Sequence, residues 1–416
     1  MFLYKIFLWV YPFLAKVISP FNAKAKQWNR GQKMVWNEIE SLHKNICKPI
    51  IWVHCASYGE FEQGLPIIES IKSKYPNYQI WLTFFSPSGY VHRKHDPSID
   101  CITYLPFDSQ KNATRFLDII QPKLIIFIKY EFWYHYLLIA KERNIPSILA
   151  SAIFRPDQIF FKPYGIFYKK MLSLFNAILV QDHISLQLVE PLLKQTQIRI
   201  TGDTRFDRVL NTSKQLVQFD WMKRLNTDKI IIAGSTWDKD HEVLAIAANK
   251  IRDLNWIIVP HHVDESSISA VKKAFPNGIT LTEFEASTIS YEAPIQLIID
   301  RIGMLRNLYQ YAYISYVGGG FGKDGVHNVL EPAVFGKPVI WGKEDKKFRE
   351  AVGLRNAGGG FSIQGASEFT DRLTTLLTNE VAYKNASHNA AQFILNHAGA
   401  TEKTIHYIQE NRLLTN

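Results

Sequence analysis

Short apolar runs rich in β-branched and aromatic residues alternate with helix-like stretches, and this alternation occurs twice along the chain. Such a pattern predicts parallel strands joined by crossover helices, as in doubly wound α/β domains. The first series predicts strands at 50–55, 80–85, 101–105, 124–128, 147–150, 177–180 and 198–201, with helices at 64–74, 112–120 and 133–143. The second series predicts strands at 229–233, 256–259, 279–281, 296–299, 313–317 and 338–341. Ligands of such domains bind at the carboxyl ends of the strands.

Chain length agrees with two domains. The chain has 416 residues and 47% hydrophobic content, whereas single cores stop growing at about 250–300 residues. The domain boundary is expected in the polar turn at 202–211. We therefore divide the chain into an amino-terminal membrane-associated helix at 1–25, a first Rossmann-like domain at 26–207 and a second at 208–416. The last helix is a candidate to cross back to the first domain.

The charge balance favours an acidic partner. Forty-eight Lys and Arg against 38 Asp and Glu leave a net charge of +10, which suits nucleic acid, an anionic membrane or phosphorylated substrates. The first 36 residues carry six basic and no acidic side chains beside the most apolar segment, so lipid is favoured over nucleic acid. Three cysteines without CxxC spacing predict neither a disulfide framework nor a zinc knuckle.

The amino-terminal segment 1–20 is apolar and aromatic but is interrupted by Lys5, Pro12 and Lys16. At a helical period these residues and Ser19 fall along one stripe, which predicts a helix lying in a membrane interface. A tilted transmembrane anchor, a cleaved signal peptide and a buried core helix remain open. The signal peptide is the least favoured, because no small-x-small cleavage pattern follows the apolar run.

In the first domain the loop after the first predicted strand contains Ser57, Gly59 and Glu60. A carboxylate at a helix start beside a glycine can accept a proton from an attacking hydroxyl, which is the work of a general base. Acidic residues are also common in first helical turns, where they interact favourably with the helix dipole. Spacing alone leaves both interpretations open.

In the second domain the segment 317–333 combines a glycine-rich turn with a predicted helix start. Glycines let the backbone approach a phosphate, Asn328 is a candidate helix cap, and Glu331 could bind ribose hydroxyls. A purely structural turn is the alternative. Gly320, Gly322 and Gly325 fit GxGxxG, but too late in the chain for a dinucleotide fold. The phosphate-binding lysine motif is absent.

Two shorter segments follow predicted strands of the second domain. Gly234, Ser235 and Thr236 could bind a phosphate through backbone and hydroxyl donors. His261 and His262 invite a metal hypothesis, but no third ligand stands at a recognisable spacing. Nucleotide contact or simple exposure is preferred for them.

Taken in order, these segments resemble the Kdo (3-deoxy-D-manno-octulosonic acid) transferases of lipopolysaccharide synthesis. Residues 57–60 resemble the family motif SVGE, 129–133 resemble TETELWP, and 202–207 resemble GNxKFD. Residues 234–236 with Glu242 resemble GSTxxGEE, and Gly303 with Met304 resembles MGEL. Residues 318–333 resemble GGS…GGHNPLEPA. No single motif is decisive, but the ordered set extends along nearly the whole chain.

The resemblance implies a GT-B fold with two Rossmann-like domains facing a central cleft, the first for the acceptor and the second for the CMP-sugar. It implies inverting transfer of Kdo from CMP-Kdo to an anionic lipid A precursor (lipid IVA), at the cytoplasmic face of the inner membrane, without cofactor, metal or nucleic acid. Glu60 would be the general base and Glu131 a second active-site acid. Donor contacts would come from Gly234, Ser235, Thr236, His261, His262, Gly303, Met304, Gly318, Gly319, His327, Asn328 and Glu331, and acceptor contacts from Ser57, Gly59 and Arg155.

Two departures from the family pattern bear on single contacts. His261 stands where the motif PRHPER has an arginine, and the arginine of the NARLS-like segment is displaced to Arg155. The competing hypotheses are another GT-B enzyme that uses a UDP-sugar, either a transferase or an epimerase, a nicotinamide oxidoreductase, and a non-catalytic membrane-surface adaptor. Binding of CMP-Kdo or of a UDP-sugar separates the first alternative, absence of NAD(P) binding would dismiss the second, and donor turnover would exclude the third.

Overall fold

The computed structural model describes residues 2–225, 229–287 and 293–415, and leaves Met1 of the predicted membrane segment outside the described residues. Contacts divide the chain into unit 1, Met1–Arg208 with Ala398–Asn416, and unit 2, Val209–His397. Within the described residues each unit holds one seven-stranded sheet with every strand pair parallel. The predicted α/β fold class is therefore confirmed.

The strands of the sheet in unit 1 run in the order β3-β2-β1-β4-β5-β6-β7, and those in unit 2 in the order β10-β11-β9-β8-β12-β13-β14. The strands are β1 Ile50–Cys55, β2 Gln79–Phe84, β3 Cys101–Tyr104, β4 Leu124–Ile128, β5 Ser147–Ala152, β6 Ala177–Val180, β7 Gln197–Ile200, β8 Ile230–Thr236, β9 Asn255–Pro260, β10 Ile279–Thr280, β11 Gln296–Ile298, β12 Ile314–Val317, β13 Val339–Gly342 and β14 Gly360–Ile363.

Helices fill most of the connections between strands. They are α1 Phe2–Ile18, α2 Ala23–His43, α3 Tyr58–Lys74, α4 Pro87–Arg93, α5 Gln110–Ile120, α6 Tyr134–Glu142, α7 Ile166–Leu172, α8 His183–Val189, α9 Thr204–Ser213, α10 Asp238–Lys250, α11 Glu265–Ala274, α12 Leu281–Ala286, α13 Leu305–Leu308, α14 Leu330–Ala333, α15 Arg349–Asn356, α16 Ala366–Thr378, α17 Glu380–His397 and α18 Ala400–Glu410. Short 3₁₀ turns lie at Ile159–Phe161, Pro163–Gly165, Glu190–Leu192, Asp220–Arg224 and Tyr309–Tyr311.

All thirteen predicted strands are present, most of them within one or two residues of the expected ends. The sequence missed β14 (Gly360–Ile363), an edge strand of four residues that follows three glycines or alanines and therefore lacks a strong apolar run. The three predicted helices correspond to α3, α5 and α6, with α3 beginning six residues earlier than expected, at Tyr58.

Both faces of each sheet are covered, which explains why the strands read as continuous apolar runs rather than alternating ones. In unit 1, Trp52 belongs to the core on one face of β1, whereas Ile51 and Val53 belong to the core on the other. Unit 2 repeats this arrangement, with Ile231 and Ile232 in opposite cores. The strand order reverses between β1 and β4 and again between β8 and β12, so the ligand-binding edge of each unit is expected there.

Helix α1 is fixed to unit 1 by hydrogen bonds, of which one is Asn29 Nδ2 donating to the Ala15 carbonyl at 2.7 Å. The Tyr4 hydroxyl is buried and donates to Asp108 Oδ2 at 2.5 Å, and it accepts from the Tyr134 backbone N–H at 3.2 Å. Among the described residues no single helix is both long and apolar enough to cross a membrane. The bent pair Tyr4–Ile18 and Ala23–His43, with 119° between its helices, reaches that length and composition only when counted together.

Helix α18 completes the core of unit 1. Its residues Ile405 and Ile408 are buried against the same face of the sheet as α3. The Asp207 carboxylate accepts the backbone N–H groups of Gly399 and Thr401, both at 2.6 Å, and so satisfies the start of the helix.

Candidate active site

The loops after β1 and β4 form the candidate catalytic edge of unit 1. Strand β1 ends at Cys55 and pairs with β4, which ends at Ile128. Glu60 lies in the first turn of α3 after β1, and Glu131 lies three residues after the end of β4. Lys129, the first residue after β4, has φ +68°. This left-handed conformation is costly for a residue with a side chain and often occurs at functional sites.

Glu60 is a buried carboxyl with few compensating partners. Glu60 is 8% exposed, and its Oε2 accepts the Ser57 backbone N–H at 3.2 Å. Burial and the charge of Glu131 raise the pKa of Glu60 to about 7, although Lys129 and backbone N–H groups act in the opposite direction. A carboxyl with a pKa near 7 can exchange protons at neutral pH, as a general base must.

Glu131 is equally buried but is held by side-chain donors. Its Oε2 accepts the indole N–H of Trp133 at 2.6 Å and lies 2.9 Å from His54 Nε2. The two carboxyls therefore have different environments, because Glu131 is bonded to two ring nitrogens whereas Glu60 is bonded to the backbone.

His54 is fully buried in β1 and is held on its other side by β2. Its Nδ1 lies 2.7 Å from Thr83 Oγ1, which also accepts the Trp52 indole N–H at 2.8 Å. The parallel register pairs His54 directly with Thr83. One buried chain of hydrogen bonds thus runs from Trp52 through Thr83 and His54 to Glu131.

The predicted acceptor residues lie on the same edge of unit 1. Ser57 is the N-cap of α3, and a Cβ added at Gly59 would meet no heavy atom within 4 Å, so the start of the helix has open space beside it. Arg155 is exposed and lies three residues beyond β5, with its backbone N–H bonded to Gln158 Oε1 at 3.0 Å. Its role as an acceptor contact stays a prediction.

In unit 2 the first two predicted donor segments are adjacent. Strand β8, which contains Gly234, Ser235 and Thr236, pairs with β12, and the Gly318 N–H donates to the Gly234 carbonyl at 2.8 Å. Ser235 has φ +53°. A Cβ at Gly318 would lie 2.3 Å from the Ser235 carbonyl oxygen. Only glycine allows this close approach of the two loops.

Asp240 anchors the glycine-rich loop. Its carboxylate is buried and accepts the Gly319 N–H at 2.9 Å, the Trp237 N–H at 2.9 Å and the Tyr316 hydroxyl at 2.6 Å. Burial raises the pKa of Asp240, and the three donors oppose that shift. One carboxyl in the first turn of α10 therefore joins this loop to the start of that helix.

Aromatic rings border this loop. His261 stacks on Trp237 at 4.6 Å and on His327 at 4.6 Å between ring centroids, and the Trp237 indole N–H donates to His327 Nε2 at 2.9 Å. Burial, His327 and His262 all lower the pKa of His261. Burial also lowers the pKa of His327, against the charge of Asp324. A cavity of about 280 Å³ opens beside these rings, lined by Trp237, Lys239, Phe321 and others.

The remaining predicted donor residues lie farther along unit 2. Asn328 Oδ1 accepts the Leu330 N–H at 3.1 Å, and Asn328 Nδ2 donates to Glu331 Oε1 at 3.2 Å. The helix expected here is only the single turn α14, so it offers little helix dipole to a phosphate. Gly303 has φ +87°, and Met304 precedes α13.

Sequence reasoning did not single out His54, Thr83, Trp133, Asp240 or Trp237 as site residues. The signal for Asp240 was present, because it stands at the third position of a helix after a phosphate-binding type of turn, where a carboxylate commonly caps. Thr83 gave no such signal, since its link to His54 depends on the register of two strands. Within the described ranges, no group of three or more His, Cys, Asp or Glu is arranged to hold a metal ion.

Comparisons of the amino-acid sequence with known proteins all indicate the same family. Residues 27–208 match the family model for 3-deoxy-D-manno-octulosonic-acid transferase (kdotransferase). The chain is similar to the 3-deoxy-D-manno-octulosonic acid transferase of Aquifex aeolicus, with 31% identity over 82% of this chain and 88% of that protein. It is 28% identical to the enzyme of the same name from Haemophilus influenzae, over 85% of each chain.

Solved structures support the fold. The UDP-GlcNAc 2-epimerase of Methanocaldococcus jannaschii superposes with a TM-score of 0.55 and 14% identity over 85% of this chain and 100% of that one. A glycosyltransferase of Rickettsia africae also gives a TM-score of 0.55 and 14% identity, over 89% of this chain and 100% of the other. At these identities the likeness concerns the architecture alone.

Proposed function

We propose a mechanism and an acceptor for this chain, which belongs to the 3-deoxy-D-manno-octulosonic acid (Kdo) transferases. The family reaction is transfer of Kdo in lipopolysaccharide biosynthesis. We take CMP-Kdo as the donor and a lipid A precursor, lipid IVA, as the acceptor.

In the proposed reaction Glu60, as a carboxylate, accepts the proton of an acceptor sugar hydroxyl. The hydroxyl oxygen forms a bond to the anomeric carbon of Kdo while the bond from that carbon to the phosphate oxygen breaks. CMP leaves with the bonding electron pair, and the configuration at the anomeric carbon inverts. The products are the Kdo-lipid, CMP and a protonated Glu60, which returns its proton to water.

The observation that carries this proposal is the position and environment of Glu60. It lies at the carboxyl edge of a doubly wound sheet, where the strand order reverses and where ligands of this fold class bind. Burial and Glu131 raise its pKa to about 7. A carboxyl with a pKa near the working pH is an effective proton acceptor and is unusual in a purely structural role.

The donor is assigned to unit 2, on the loops that contain Gly234 and Gly318. Their backbones approach each other closely, which suits recognition of a phosphate by main-chain groups. The leaving group is a nucleoside monophosphate, whose charge backbone N–H groups and Lys239 could stabilise. We therefore propose a metal-independent reaction, in which EDTA leaves the transfer rate unchanged.

The acceptor is proposed to reach the enzyme from a membrane surface. One side of α1 is anchored through Tyr4, whereas Trp9 is 75% exposed and Phe21, just beyond the helix, is 92% exposed. Phe13, Val17 and four further large apolar residues of the segment are also exposed. With the surrounding lysines this arrangement favours a helix lying on an anionic bilayer, and we propose the cytoplasmic face of the inner membrane.

A second candidate is a GT-B enzyme that acts on a UDP-sugar. We retain this candidate because one of the solved structures with a similar fold is a UDP-GlcNAc 2-epimerase. The sequence relatives favour Kdo transfer, because they match over most of both chains.

The two functions are separated by incubating the purified protein with lipid IVA and either CMP-Kdo or UDP-N-acetylglucosamine, with and without EDTA. We expect CMP release and a lipid product whose mass increases by one or more Kdo units, at equal rates in both buffers. Turnover of the UDP-sugar alone would exclude the proposal, and loss of activity in EDTA would exclude its metal independence.

A further inference from the structure

The buried chain of side chains that runs from Trp52 through Thr83 and His54 to Glu131 has one fully matched pattern of donors and acceptors if Glu131 is ionised. An ionised carboxylate only accepts, so His54 Nε2, at 2.9 Å, must carry a proton and donate to it. The neutral imidazole then accepts at Nδ1, and the Thr83 hydroxyl, at 2.7 Å, donates there. The Thr83 oxygen is left to accept the Trp52 indole N–H at 2.8 Å. This tautomer is assigned from the network.

The opposite arrangement fits less well. A proton on Nδ1 would have to be donated to Thr83, whose oxygen already accepts from Trp52, so the hydroxyl proton would lose its partner. Nε2 would then be an acceptor, and the Trp133 indole N–H lies within its reach at 3.1 Å. That donor is nearer to Glu131 Oε2, at 2.6 Å, and if it turned to Nε2, two acceptors would face each other at 2.9 Å.

We propose that His54 is a positioning residue for the reaction. Thr83 and Trp52 secure His54, and His54 keeps Glu131 ionised and fixed. Glu60 is then the carboxyl that takes up and releases the proton. The inference rests on the proposed role of Glu60 as general base. It adds the division of labour between two buried carboxyls to that role.

The division follows from the groups that face Glu60. Glu131 is the negative neighbour, Lys129 is the positive one, and Cys55 is a buried thiol whose pKa is raised by burial and by both carboxylates. Two neighbouring buried carboxyls rarely both ionise at neutral pH, so the one with better hydrogen-bond donors keeps its charge and the other holds the proton. His54 and Trp133 supply those donors to Glu131.

The neighbouring strands supply a matched control. Trp81 in β2 donates its indole N–H to Thr103 Oγ1 in β3 at 3.1 Å, and all four residues of the two Trp–Thr pairs are fully buried. In both pairs the threonine lies two positions beyond the direct partner of the tryptophan. In the part of the chain that the structure describes, no histidine or carboxylate is bonded to the Trp81–Thr103 pair. Replacing either threonine by valine removes the same kind of hydrogen bond.

The first experiment compares Thr83→Val with Thr103→Val in the full-length protein. Both variants should lose similar thermal stability, because the same buried bond is removed. Thr83→Val should lower kcat several-fold to about tenfold, with a smaller effect on KM, whereas Thr103→Val should stay within about twofold of wild type. Equal activity of the two variants would overturn the role of Thr83 in securing His54.

The second experiment replaces His54 by Leu and by Gln and records kcat/KM against pH. Without a donor from His54, Glu131 is no longer held in place, so its charge raises the pKa of Glu60 less than in the wild type. The acidic limb of the His54→Leu profile should therefore move to lower pH, with a rate loss of roughly 10 to 100-fold. The Gln side chain can still donate to Glu131, so it should restore much of the rate and the wild-type limb.

The outcomes separate this inference from the proposed function. An unchanged acidic limb in folded His54→Leu, or no difference between the Leu and Gln variants, contradicts the positioning role of His54. If the Glu60→Gln variant keeps near-normal turnover, the general-base assignment itself fails, whatever the His54 variants do.

Discussion

Glu60 and Glu131 are both 8% exposed, yet the two carboxyls accept hydrogen bonds from different kinds of donor. Glu131 accepts hydrogen bonds from buried rings, whereas Glu60 accepts backbone N–H groups at a helix start. Ring donors therefore fix the Glu131 carboxyl in place. Glu60 is left to titrate, which is what a base needs if it is to take up a proton near neutral pH and release it again.

The pH dependence of transfer follows from this environment. Because the pKa of Glu60 is raised to about 7, the active carboxylate is lost as the pH falls through that value. We expect kcat/KM to rise with pH and to be half-maximal near pH 7, as measured by CMP release. In Glu131→Gln the repulsion is absent, so the half-maximal point should move to lower pH. An acidic limb that stays in place in Glu131→Gln would contradict the coupling of the two carboxyls.

The positions of Glu60, Glu131 and the Gly234 turn at strand ends were predictable, because a motif or a helix start marked them, whereas their roles stay predictions. The hydrogen-bond partners of these residues were harder to predict from the sequence. Thr83 lies beside His54 only because β1 and β2 pair in one particular register, and hydrophobic periodicity does not determine register when both faces of a sheet are buried.

At the scale of elements, the glycine-rich loop after β12 makes the sharpest steric prediction. Gly319 has φ +88°, and a Cβ there would lie 2.5 Å from the Gly325 carbonyl oxygen. Gly319→Ala should therefore distort the loop at a cost of about 1–3 kcal/mol and weaken CMP binding roughly tenfold or more, as measured by calorimetry.

Gly322 in the same loop is the matched control for Gly319. A Cβ there would meet only the Gly319 carbonyl oxygen, at 3.4 Å, and its φ is not in the left-handed region. Gly322→Ala should bind CMP within about twofold of wild type. Equal losses in the two variants would show that the loop does not depend on the conformation of Gly319.

Helix α1 carries the prediction on membrane binding. Trp9 and Phe13 are exposed, and each would bury a large apolar side chain in a bilayer, worth about 1.5–3 kcal/mol. The double variant Trp9→Ser with Phe13→Ser should co-sediment with anionic phospholipid vesicles at least about tenfold more weakly than wild type.

The control for α1 removes equally exposed apolar side chains from a different helix. Val381 and Leu395 lie exposed on α17 in unit 2. Serine at both positions should leave vesicle binding unchanged. If both double variants bind vesicles as wild type does, α1 does not contribute to the membrane contact and the buried-helix alternative gains support.

Elements were predicted best where long apolar runs ended in polar turns, because each such run forms a buried parallel strand. Short elements were not accessible in this way. Strand β14 has only four residues after a glycine pair, and α14 is a single turn where a longer helix was expected. Their formation depends on packing against neighbouring strands rather than on local sequence preference.

For the whole molecule, the repeated strand and helix pattern was enough to predict two doubly wound α/β units. The return of α18 to unit 1 is marked by the Asp207 cap. The Asp207 carboxylate bonds to Gly399 and Thr401, which lie 192 and 194 positions later in the chain. Because the proposed base belongs to unit 1 and the proposed donor loops belong to unit 2, substitutions in the two units should affect different constants. Changes at Glu60 should lower kcat, and changes at Gly319 should weaken CMP binding.

The most direct test is single-turnover transfer from CMP-Kdo to lipid IVA by Glu60→Gln, compared with Glu69→Gln on the exposed side of the same helix. We expect Glu60→Gln to bind CMP as wild type does and to transfer Kdo roughly 10²–10⁴-fold more slowly. Glu69→Gln should stay within about twofold of wild type. Near-normal transfer by a folded, CMP-binding Glu60→Gln protein would contradict the assignment of Glu60 as the general base.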